Sequence, residues 1–146
     1  MELEKTLSDL LLYWEGQNIK LTRGCSNKAI KLFESKMNII LPTDFVDFFK
    51  IVNGMELLYP NDSDENGFLF YPLQALKAIE SNENKGVSHF KDYLIFVNYM
   101  HNSWEYYIRI LGQNNYEIGI RPASDVFKII TNSLSDFIRY YITDDE

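Results

Sequence analysis

Apolar positions follow two periods along the chain, and the change between them divides it. Leu3, Leu7, Leu10, Leu11 and Trp14 lie at i, i+4, i+7, i+8 and i+11, one face of a helix that Gly16 ends. A polar loop through Thr22, Arg23 and Gly24 follows. Ser26 predicts an N-cap, because its hydroxyl can accept a bond from a free amide of the first turn. Ile30, Phe33 and Met37 stripe the second helix. Ile39, Ile40 and Leu41 lead to Pro42, which suits the first turn of a third helix, where its missing N–H is not needed. Asp44 in that turn favours the positive end of the helix dipole. Phe45, Phe48, Phe49 and Val52 repeat at i, i+3, i+4 and i+7, and Asn53-Gly54 predicts a left-handed cap.

Beyond Gly54 the period becomes two. Met55 to Tyr59 and Gly67 to Tyr71 read as strands around a turn at Pro60 to Asn66. Pro72 predicts a short helix carrying Leu73, Leu76 and Ile79, and Ser81 to Ser88 a polar loop. Tyr93 to Met100 is apolar enough for a central strand. Trp104 to Leu111 pairs through a turn at Gly112 to Asn115 with Tyr116 to Ile120, and Val126 to Ile130 forms a last strand. Ser133 and Asp136 have capping-box spacing, with Asp in place of Glu, before a helix striped by Leu134, Phe137, Ile138 and Tyr141. Helices first, hairpin-joined strands next and one closing helix predict an α+β fold with a mainly antiparallel central sheet. Without a linker or repeat, residues 1–146 read as one domain.

Composition narrows the function. Hydrophobic residues at 46% allow a real core. The formal charge of −7 repels phosphate backbones and argues against nucleic acid as a ligand. A basic protein partner fits that sign. Cys25 is the only cysteine, so no internal disulfide forms. Glu2, Glu4 and Lys5 after Met1 do not resemble a signal peptide, and no apolar run suits a membrane span, so a cytoplasmic protein without membrane contact is expected.

Candidate chemistry is sparse. His89 and His101 have no paired ligand nearby, so no metal site is expected. As a nucleophile Cys25 would need one of them as its base, and the simpler reading is a free thiol near a helix start. Asp62-Ser63-Asp64-Glu65-Asn66-Gly67 matches the opening of a calcium loop, but the twelfth position is Leu73, which cannot ligate. An acidic turn is the reading of choice, with calcium capture kept as an alternative. Trp104 and Tyr106 share one face of their strand, and Glu105 and Tyr107 the other. Exposed acids beside aromatics are therefore the expected partner site: Asp62, Asp64 and Glu65 in the turn, and Glu105 with Tyr107 on the strand. No catalytic residue and no cofactor is assigned.

One ordered set of residues resembles a known family. Phe33-Glu34, Leu41-Pro42-Thr43-Asp44-Phe45 and Asn53-Gly54 are followed by Gly67 to Leu73, Tyr93 to Phe96, Asn102-Ser103-Trp104 and Ser135 to Ile138. The set, over about residues 26–143, is similar to the SUKH superfamily, the Smi/Knr type of domain. The resemblance implies an α+β domain without an active site and supplies no catalytic residue to carry over. It also implies an immunity protein that binds a cognate toxin domain of a polymorphic toxin system in the bacterial cytoplasm. Such toxins are often basic nucleases, which an acidic binder would suit. The alternative it implies is a scaffold or regulatory module like the fungal cell-wall regulators.

Overall fold

The computed structural model describes residues 2–55, 67–78, 93–99, 104–112, 114–122 and 128–143. Three helices come first: α1 (Glu2–Gly16), α2 (Asn27–Met37) and α3 (Thr43–Ile51). Next come β1 (Phe68–Phe70), a 3-10 turn (Leu73–Ala75), β2 (Lys77–Ala78), β3 (Tyr93–Tyr99), β4 (Trp104–Gly112), β5 (Asn115–Pro122) and β6 (Lys128–Thr131). Helix α4 (Leu134–Thr143) closes the described chain, giving the α+β class that the segregated order predicts. The sheet is antiparallel throughout, in the order β1-β3-β4-β5-β6, with β2 beside β1 on the same edge of β3.

All four described helices lie against one face of the sheet. Leu10, Trp14, Ile30, Phe45, Phe49 and Ile138 pack with Leu94, Phe96, Val97, Ile108 and Ile118 in one buried cluster. A bulge in β3 between Ile95 and Val97 shifts the alternation by one residue. Phe96 and Val97 therefore both reach the helices, and Asn98 points to the helix-free side. Helices α1 and α4 are joined by polar bonds as well as apolar contact. Trp14 Nε1 donates to Tyr141 Oη at 2.9 Å, the Thr6 and Ser135 hydroxyls pair at 2.8 Å, and Arg139 Nη1 donates to Asp9 Oδ2 at 2.7 Å.

Several local expectations change in detail. Ser26 caps α2 as expected, with Ala29 N donating to its Oγ at 3.1 Å. Pro42 stands at the N-cap of α3, one residue before the first turn. Asn53-Gly54 does not cap α3 directly, since Val52 ends the helix in extended backbone. Gly54 still has φ 63°, where a Cβ would overlap the Tyr71 carbonyl. The left-handed cap belongs to α2 instead, at Asn38 with φ 57°.

After Pro72 only one 3-10 turn forms, and Leu76 returns to extended backbone to start β2 within the predicted helix. Ser133 caps α4 in one direction only. Asp136 N donates to Ser133 Oγ at 3.1 Å, while Ser133 N turns to Thr131 Oγ1 at 3.2 Å. Of the strand predicted over Met55 to Tyr59, Met55 bridges Leu21 and the rest lies outside the described residues. Ile79, the turn at 60–66, the loop at 81–88 and the tail at 144–146 also lie outside them.

Candidate functional site

Alternation along β4 divides its side chains as the sequence implies. Tyr106, Ile108 and Ile110 join the helical core, and Glu105, Tyr107 and Arg109 take the opposite face. Glu105 is half-buried there, and its register partners are Asn98 on β3 and Arg121 on β5. Asp62, Asp64 and Glu65 lie outside the described residues, as do His89 and His101.

Tyr107 corrects the expectation of an exposed ring, for it is only 2% exposed. Its cause is on the neighbouring strand. Gly119 stands opposite Tyr107, and a Cβ there would overlap the tyrosine hydroxyl and the Lys128 carbonyl. With no side chain at that position, the ring lies down across β5. Tyr93 packs beside it at a ring distance of 5.1 Å, and Ile95 completes a small apolar cluster. Arg109 sits over Tyr93 at 5.4 Å and reaches Glu117 at 3.7 Å. Burial, with Tyr93 and Glu117 nearby, raises the Tyr107 pKa, so the phenol stays neutral.

On the helical side, titratable groups near one another serve the fold. Tyr116 Oη donates to Asp44 Oδ2 at 2.6 Å and accepts from Leu134 N at 2.7 Å. Burial first, then the bond to Asp44, raises the Tyr116 pKa far above its usual value. This one hydroxyl ties the start of α3 to β5 and to the start of α4. Asn114, at the β4–β5 turn, accepts from Thr43 N at 2.9 Å and so supplies the side-chain cap that Pro42 cannot. Among the described residues, no group of three or more His, Cys, Asp or Glu could hold a metal ion. No described helix is long and apolar enough to cross a membrane.

A second surface has no counterpart in the sequence reading. An open groove of about 710 Å3 runs between α2, the loop at residues 23–26 and the 3-10 turn. Ala29, Leu32, Phe33, Met37, Leu73 and Leu76 give it an apolar lining, and Arg23 and Lys36 are its charged members. Its wall is fixed by backbone and amide bonds. Cys25 N donates to the Phe49 carbonyl at 2.7 Å, Leu73 N to Asn53 Oδ1 at 2.6 Å, and Asn53 Nδ2 to Gln74 Oε1 at 3.1 Å.

A Cβ at Gly24 would overlap the Lys50 carbonyl, so only glycine lets the loop press against α3. Cys25 lines the groove half-buried, and burial raises its thiol pKa, which works against a nucleophilic role. The sequence signal for the groove was Leu32, an apolar residue outside the Ile30, Phe33 and Met37 stripe. It is 62% exposed.

The recurring motif residues are positioned by structure. Glu34 Oε2 accepts from Leu41 N at 2.8 Å, which holds the chain between α2 and α3, and Asn53 caps the 3-10 turn. A family model described as SMI1 / KNR4 family (SUKH-1) matches residues 24–140, from the groove loop through most of α4. No curated protein matches the chain.

Proposed function

We propose that this chain, which belongs to the SMI1 / KNR4 family (SUKH-1), works by binding another protein and is an immunity protein that neutralises a cognate toxin domain. The observation that carries the reading is the family match over residues 24–140. The net charge of −7 supports it, because a basic nuclease toxin would be drawn to an acidic binder and away from its own substrate. Inhibition by binding needs no catalytic group. Asp44 and Tyr116, the carboxylate and phenol in direct contact, are occupied in joining helices to the sheet. Such a protein would act in the cytoplasm, before the toxin reaches its target.

For the contact surface we propose Glu105 together with Asp62, Asp64 and Glu65. Tyr107 would act beside Glu105, by holding the helix-free face in shape. The test is growth rescue. The C-terminal domain of a large exported protein encoded beside this chain is expressed in a test bacterium, with and without the chain. Rescue and a co-purifying complex are expected. Charge reversal at Asp62, Asp64, Glu65 and Glu105 together is expected to slow association and weaken rescue, with the melting temperature little changed. Toxicity without rescue would remove that neighbour as the partner and favour the regulatory alternative. Rescue that survives the charge reversal would place the contact elsewhere.

A further inference from the structure

The groove beside α2 differs in sign from the rest of the protein. Between Lys20 and Lys50 the chain has six basic and three acidic residues, while the remainder has eight basic and eighteen acidic. Arg23 and Lys36 line the groove, and no acidic residue does so among the described residues. Both cations are exposed, and neither forms an ion pair among the described residues. Between them the lining is apolar, with Leu32 62% exposed and Ala29 open to solvent. At about 710 Å3 the space falls within the roughly 300–1,000 Å3 typical of ligand clefts. Its wall is held by the Asn53 amide and by Gly24, so little ordering is needed before something binds.

We infer that this groove is a second docking site, which takes an acidic amphipathic segment of a partner polypeptide. Apolar side chains of that segment fill the space over Phe33, Met37 and Leu76, and its carboxylates meet Arg23 and Lys36. Met37 adapts to irregular apolar shapes. A nucleic acid fits less well. Among the described residues the groove's only aromatic ring is Phe33, which is 8% exposed and offers no platform for stacked bases. A small anion would leave the apolar lining unused. This site is independent of the immunity reading, and it is opposite in sign to the acidic surface proposed for the toxin.

The single cysteine makes the test direct, because Cys25 lies in the groove and a thiol reagent therefore reports on it alone. The probe is a short synthetic helical peptide with leucines at i, i+4 and i+7 and glutamates between them. It is expected to slow maleimide modification of Cys25 in the full chain and to bind saturably in fluorescence anisotropy. Arg23→Glu with Lys36→Glu is expected to weaken binding roughly tenfold. Leu32→Ser is expected to weaken it less. All three side chains are exposed, so unchanged melting curves will show that the variants are folded.

No protection of Cys25 by the glutamate peptide overturns the inference. So does undiminished binding to the Arg23→Glu/Lys36→Glu variant, or equal binding of a peptide with lysines in place of the glutamates. Protection by a single-stranded oligonucleotide at the same concentration would assign the groove to nucleic acid instead. Growth rescue plays no part in this test, so the immunity reading and this one can fail separately.

Discussion

The two faces of the sheet solve the same problem in opposite ways. The helix-covered face is buried by mass. Phe45 of α3 alone meets Phe96 and Tyr116 edge-on, each at 5.3 Å. Its polar groups are hydrogen-bonded, as Tyr116 is to both Asp44 and Leu134. The helix-free face has no such layer among the described residues. It buries Tyr107 by removing a neighbour's side chain, at Gly119, and edges the ring with Tyr93, over which Arg109 sits as it reaches Glu117.

That contrast predicts different responses to mutation. Phe45→Ala should have the largest effect, about 3–5 kcal/mol in urea unfolding, because a fully buried ring leaves a cavity that the rigid layer cannot collapse. Against a typical total of about 5–15 kcal/mol, that can leave the protein largely unfolded. A loss below ~1 kcal/mol would mean that the helical layer repacks freely, and the contrast between the faces would fail.

Gly119→Ala should cost less, about 1–3 kcal/mol, by pushing Tyr107 off β5. Tyr107→Leu in the Gly119→Ala background should recover part of that loss, since a shorter side chain clears the new methyl group. Additive losses in this double-mutant cycle would show that the ring and the glycine are not coupled.

The legibility of the sequence follows the same division. Elements whose apolar stripes face the helical core were readable, because burial on one side forces the period: the Phe45 to Val52 stripe and the Leu134 to Tyr141 stripe are buried as the spacing predicts. The caps of α3 were not, because they depend on distant residues. Asn114 serves Thr43 from far along the chain, and Asn53 serves Leu73 in place of its own helix. Alternation puts Tyr107 opposite the helical core and says nothing of its burial. Alternation fixes direction, but depth depended on the glycine opposite, and strand register is not written in one strand. The groove is not legible in the spacing, because its lining comes from three segments and only Leu32 marks it.

The smallest expected effect lies at the rim of the helical layer, where α1 and α4 meet solvent. The hydrogen bond from Arg139, with help from Lys5, lowers the Asp9 pKa from the usual 3.8. A carboxylate whose pKa is lower in the folded than in the unfolded chain adds stability above the unfolded value, and that stability is lost as pH falls through the folded value. The advantage of wild type over Asp9→Asn should therefore be full at neutral pH and disappear in acid, below the usual aspartate value. It should also shrink with added salt, because the pair is open to water. Melting temperatures of both proteins along a pH series measure this. A gap that widens in acid would show that Asp9 holds α1 to α4 by packing or by its protonated form. The rim would then behave like the buried face, and charge would not be what fastens the outer edge of the helical layer.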